Sequence, residues 1–225
     1  MTADTPRRGR PPKNERQLSR AAIVEATLKV IDADGVSAVS MRAVGRVLGV
    51  DAKSLYNHVE GKDGLLDAVA EHLLGSIALP DITGDLRADL SAIATAFRES
   101  ALAHPEAASL VLTRQLASFE GLAPIEAVLD VLHNAGCTPD ESVHLLRTFV
   151  AMLIGTLLRE VNAGPTYGTI DTAVIAQRQA TLERSGLPSV AAAARHLARF
   201  EGAEEYEFAM NFAMNALLAR LADQS

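Results

Sequence analysis

The chain has a single cysteine, no tryptophan and only nine aromatic side chains, three Tyr and six Phe, in 225 residues. One thiol, Cys137, cannot form an intrachain disulfide, so the fold does not rest on a covalent framework and suits a reducing compartment. Long hydrophobic runs are also missing. The most conspicuous, 148–158, has eleven residues and is closed by Arg147 and Arg159, against about 20 for a membrane-spanning helix. No apolar stretch follows the charged N-terminus, so no signal peptide is read. Alternating β-branched segments bounded by turns, the mark of half-buried strands, are scarce. Lysine does not occur beyond Lys62. Together these absences give the expectation of a cytoplasmic, helical protein.

What is present is a chain with 48% apolar and 22% charged residues. That apolar share can offset the entropy of ordering, so the bulk of the chain folds as one large domain or two small ones. The net charge of −7 argues against a polyanionic partner only when taken whole. Residues 1–62 hold 11 basic and 7 acidic side chains, a net of +4, and residues 63–225 carry −11. Such asymmetry fits one part of a chain meeting a polyanion and the other not; a merely solvated basic surface would look the same.

Ala, Leu, Glu and Arg recur at helical spacing throughout. Residues 1–18 are a polar basic arm. A first helix begins near Ser19, with Ile23, Ala26, Thr27, Val30 and Ile31 on one stripe, and ends at Gly35. A second follows Ser40 as N-cap and is expected to bury Met41, Val44, Val47 and Leu48. After the turn at Gly49-Val50, Asp51 caps a third, expected to bury Leu55, Tyr56 and Val59. Gly61 precedes a fourth, from Lys62 to about residue 77. Past a boundary at 80–84, helices are read over 85–103, 105–118, 122–135, 139–162, 170–184, 189–200 and 203–221. The clearest start is Thr138-Pro139-Asp140-Glu141, a capping box with Pro at the first helical position.

A short turn between the second and third helices is the making of a helix-turn-helix. With its apolar side inward, the third helix leaves Ala52, Lys53, Ser54, Asn57 and His58 outside or on the rim. None is acidic. A helix that reads a DNA groove needs such donors near its N-terminus, whereas a plain solvated helix more often mixes in Glu and Asp.

Residues 39–59, VSMRAVGRVLGVDAKSLYNHV, continue as EGKDGLLDA to residue 68. This run resembles the TetR family of transcriptional repressors, and its Leu-Gly-Val turn and Leu-Tyr-x-His-Val segment resemble the tetracycline repressor subgroup. The resemblance covers about residues 19–70 without a gap. It implies that Arg42 contacts a base edge or phosphate and that Ala52, Lys53 and Ser54 open the recognition helix over the major groove. It further implies that Tyr56, Asn57 and His58 touch backbone or bases, and that Lys62 clamps a phosphate. Family members often carry a bulky aromatic where Asn57 stands. Tyr56 buried in the three-helix core, and His58 as an interhelical histidine, remain open beside those roles. The arm segment 7–13, RRGRPPK, resembles an AT-hook core; Arg8 and Arg10 would enter a narrow minor groove or simply attract phosphate.

Beyond residue 80 the resemblance is one of layout, a helical ligand-binding and dimerisation domain. Segments 143–161 and 206–218 are apolar nearly all round, so each must bury two sides, one of them against something else. In the family two such helices per subunit build a four-helix dimer interface. Phe97, Thr113 and Arg114 match ligand-facing positions of the tetracycline repressor. A histidine and an asparagine used there fall at Ala78 and Ile93, and the metal-binding histidine near Leu110, which argues against a magnesium–tetracycline site. Phe119, Thr148 and Met152 complete the candidate ligand set. The five histidines outside the head show no metal-ligand spacing, so no metal or cofactor is read. Cys137 beside Thr138 stands near a helix N-terminus, which would lower its pKa.

The expectation is an all-α protein: an arm over 1–18, a helix-turn-helix domain over 19–65 and a helical ligand-binding and dimerisation domain over 66–225. Its partners would be a palindromic double-stranded operator, a small-molecule effector and a second copy of itself, with no membrane. No nucleophile–base pair, paired carboxylates or phosphate loop points to an enzyme. A dimeric sensor acting on a protein partner, its DNA-binding head vestigial, is the third reading.

Overall fold

The computed structural model describes residues 18–113, 120–161 and 168–222. These form eleven α-helices, with short 3-10 turns at Val36–Ala38 and Glu120–Leu122. Among the described residues there is no strand, only an isolated parallel bridge between Thr169 and Arg199.

The first four helices build a small head. Helix α1, Arg20–Asp34, starts where the Ser19 hydroxyl accepts from the Ala22 N–H and stops at Gly35, whose φ of 79° few other residues adopt. Helix α2, Met41–Leu48, is capped in the same way by Ser40 and ends at left-handed Gly49. Helix α3 is only Ala52–Leu55, with the Asp51 carboxylate accepting from the Lys53 N–H. Helix α4 runs Gly61–Gly75. The head core gathers Ile23, Ile31, Val44, Leu55, Val59, Leu65 and Val69. It continues along α4 as far as Leu73, past the boundary at residue 65 read from the sequence.

The larger body holds α5 (Leu86–Ala103), α6 (Pro105–Thr113), α7 (Ala123–Asn134), α8 (Pro139–Val161), α9 (Thr172–Glu183), α10 (Pro188–Leu197) and α11 (Gly202–Ala222). Thr138 caps α8 as its sequence promises, accepting from the Glu141 N–H at 3.4 Å. Leu90, Ile93, Leu132, Phe149, Leu153, Leu157, Met210 and Met214 fill the second core, where α8 and α11 lie along each other. The Arg98 guanidinium of α5 binds the Glu160 carboxylate of α8 through two N–H groups and lies 4.8 Å over the Tyr206 ring of α11. Three helices are thereby tied at one end of the core.

Two features of this body depart from the sequence reading. Helix α8 is, among the described residues, long and apolar enough to cross a membrane by length and composition. Counting an unbroken run missed this, because mean hydropathy tolerates an Arg that a run does not. Cys137 is buried, and burial, with Glu141 beside it, pushes the thiol up, against the lowering a helix N-terminus would give.

Asp89, in the first turn of α5, is 2% exposed yet fully partnered. It accepts from the Thr83 N–H (2.9 Å), the Thr83 hydroxyl (2.7 Å) and the Gly84 N–H (2.9 Å), pinning the loop that leads out of the head. Those bonds, the Thr83 hydroxyl first, hold its carboxyl below the usual 3.8. A lowered folded-state value means that the stabilisation is present above 3.8 and is lost as pH falls through the folded-state value. Urea melts should therefore show wild type more stable than Asp89→Asn at neutral pH, with the gap shrinking below pH 3.8. A gap independent of pH would contradict this role.

Candidate nucleic-acid interface

A four-residue helix does not stand alone in water, since nucleation is costly and few bonds repay it. Helix α3 is held by what surrounds it. Leu55 is 0% exposed and Val59 is buried, both in the head core. Asp51 caps one end, and beyond Leu55 the chain turns back, with the His58 and Val59 N–H groups donating to the Leu55 carbonyl at 2.9 and 3.1 Å. The α2–α3 turn is tight: the Val50 N–H donates to the Gly45 carbonyl at 3.0 Å. A Cβ on Gly45 would stand 3.0 Å from the Val50 oxygen and 3.4 Å from the Ala52 Cα, so a glycine lets the two helices approach.

What remains outside is a polar, basic face. Arg42, Lys53, Asn57 and His58 are exposed, while Ala52 and Ser54 are half-buried, Ala52 packing against the head core. Tyr56 is 61% exposed. The expectation that it is buried is corrected: the head core closes around Leu55 and Val59, and the Tyr56 ring stays outside it. His58 likewise lies in the turn, exposed, which removes the interhelical reading. Val47 is 48% exposed and Leu48 half-buried, so α2 buries Met41 and Val44 but not all four apolar residues. Lys62 is exposed, and its Nζ donates to the Ser37 carbonyl at 3.2 Å, tying the start of α4 to the turn after α1.

The sequence reading passed over Arg46. It is exposed on α2, one turn after Arg42, and residues i and i+4 share a helix face. That spacing was the available signal. From residue 52 to residue 58 no acidic side chain interrupts the face.

The candidate ligand residues fall in separate places. Phe97 is half-buried and borders a cavity of about 10 Å³ with Leu73, Ile77 and His104. Thr148 and Met152 border a groove of about 180 Å³ between α8 and α11, with Phe149 and Phe212. The Thr148 hydroxyl donates to the His144 carbonyl one turn back. Arg114 and Phe119, the Thr113 side chain, and the arm with Arg8 and Arg10 lie outside the described residues.

Known proteins resemble this arrangement at both ends of the chain. Residues 23–69 match the family model of bacterial regulatory proteins of the tetR family, and residues 79–223 match the tetracyclin repressor-like C-terminal domain. An HTH-type transcriptional regulator of Saccharopolyspora erythraea is 39% identical over 131 residues, 56% of this chain and 56% of that protein. The chain thus spans little more than half the length of that relative. The Escherichia coli tetracycline repressor class A from transposon 1721 is 28% identical over 70% of this chain and 76% of its own. The crystal structure of ActR from Streptomyces coelicolor, in complex with actinorhodin, has the same fold, with a TM-score of 0.81 at 21% identity over 93% of this chain and 100% of that one. On the two domain matches, which together take in most of its length, the chain belongs to the TetR family of bacterial regulators.

Proposed function

We propose that the chain is a ligand-responsive, sequence-specific DNA-binding regulator, a repressor released from a palindromic operator by a small molecule, acting in the cytoplasm as a homodimer. The observation that carries it is the face made by Arg42, Arg46, Lys53, Tyr56, Asn57 and His58. These side chains are outside a core already closed without them. Lys53 and Ser54 stand at the start of α3, and the exposed Tyr56, Asn57 and His58 supply further donors for phosphate or base edges. The basic arm with Arg8 and Arg10 adds attraction to phosphate or the minor groove.

A second copy is supported by α8 and α11. Their inner sides fill the core, yet Phe208 and Phe212 remain 72% and 59% exposed. Ala151, Gly155 and Ala209 border an open groove on the same two helices. Two heads related by a two-fold axis, about one helical turn of DNA apart, read an inverted repeat.

Release is supported by how α6 is shared. Ala107 and Leu110 belong to the head core, and their neighbour Ala108 to the core of the body. A ligand that favours one placement of α6 shifts the population of head positions, and thereby operator affinity. The ActR complex with actinorhodin, on the same fold, supports a small-molecule effector for this chain.

Selection of random duplexes by the purified protein should enrich an inverted repeat; an unpatterned pool would contradict the reading. On the enriched duplex, Arg42→Ala and Lys53→Ala should each weaken binding by about 1–3 kcal/mol. Tyr56→Ala should weaken binding while changing stability by less than about 0.5 kcal/mol, as at other exposed sites, against about 3–5 kcal/mol for a buried aromatic. The Phe208→Glu/Phe212→Glu variant should sediment as a monomer where wild type is a dimer. A variant that still dimerises would place the interface elsewhere.

A further inference from the structure

Among the described residues, head and body meet through apolar contacts and through a directional contact whose place in the chain is unusual. His104 stands between α5 and α6, immediately before Pro105. Its carbonyl starts α6 by accepting the Ala107 and Ala108 N–H groups at 3.0 and 2.9 Å. Its side chain reaches back to the head, where Nδ1–H donates to both oxygens of Asp32, at 3.1 and 3.3 Å, in the last turn of α1. Two residues further on, the Glu106 carboxylate lies 3.7 Å from where a Cβ on Gly35 would stand, against the turn that ends α1.

The apolar contacts of Ala107 and Leu110 with the head core are non-directional and leave the angle between head and body less closely defined. A hydrogen bond does not, because it weakens steeply as its angle closes. The His104 and Asp32 side chains are 33% and 41% exposed, so their pairing adds little to global stability. Its leverage is geometric. His104 also borders the small cavity beside Phe97 of α5 and Leu73 of α4, so the helices that carry the head and the body converge on it.

We propose that His104 is a positioning residue: through Asp32 it sets the angle of the head on the body, so that movement of the α5–α6 junction is passed to α1 and on to the recognition helix. This rests on the reading of the chain as a dimeric regulator and adds to it the residues that fix the head.

The test places nitroxide labels at Asn57→Cys in a Cys137→Ala background of the full chain, without DNA, and reads label-to-label distances across the dimer by pulsed dipolar spectroscopy. The parent should give one narrow distribution. Asp32→Ala and His104→Leu should each shift and broaden it with unchanged melting temperature, and the double variant should go no further than either single one. His104→Asn, whose side-chain amide N–H stands near the place of Nδ1–H, should retain the parent distribution. Parent-like distributions in both single variants, or broadening that follows a lowered melting temperature, overturn the inference alone. A parent with no intermolecular signal overturns the dimer reading and this inference with it.

Discussion

Leu55 holds the proposed DNA-binding surface in place. Helix α3 has four residues, too few to persist by its own hydrogen bonds, and its position is set by one fully buried leucine, the buried Val59 beyond it and the Asp51 cap before it. The side chains offered to a partner owe their direction to that anchorage. Lys53 is displayed because Leu55 is not. The same anchorage leaves Tyr56 outside the core.

The same economy governs the joint between head and body. Helix α6 contributes to two cores at once, through Ala107 and Leu110 on one side and Ala108 on the other. A segment shared in this way cannot move without disturbing both, whereas two cores joined by a loop would move independently. The Asp89 cluster closes the other route between the two halves, the loop 83–84, by fixing it to the first turn of α5. Charge follows the same division: the basic excess lies within residues 1–62 and the acidic excess beyond them. A polyanion is therefore attracted to one end and repelled by the other.

Much of this was legible in the sequence wherever a local rule decides the outcome. Ser19, Ser40, Asp51 and Thr138 are caps in the structure because a short polar side chain before an apolar period has one good use there. The two-sided apolarity of α8 and α11 is visible as core on one side and exposed Phe208 and Phe212 on the other. Legibility failed where tertiary context decides. Val47, within α2, and Tyr56, just past α3, sit at apolar-looking positions that the packed head leaves exposed. Asp89 reads as an ordinary first-turn acid until Thr83 and Gly84 fold over it. The ligand set was least legible, because Phe97 and Met152 are common core residues and nothing in their spacing tells which side of the body each faces.

The proposed regulator presents two reading heads held by one two-fold molecule. Hydroxyl-radical footprinting of the duplex enriched by wild type tests this directly. It predicts two symmetric protected tracts with centres about one helical turn apart. A single protected tract, or uniform protection along the duplex, would contradict it.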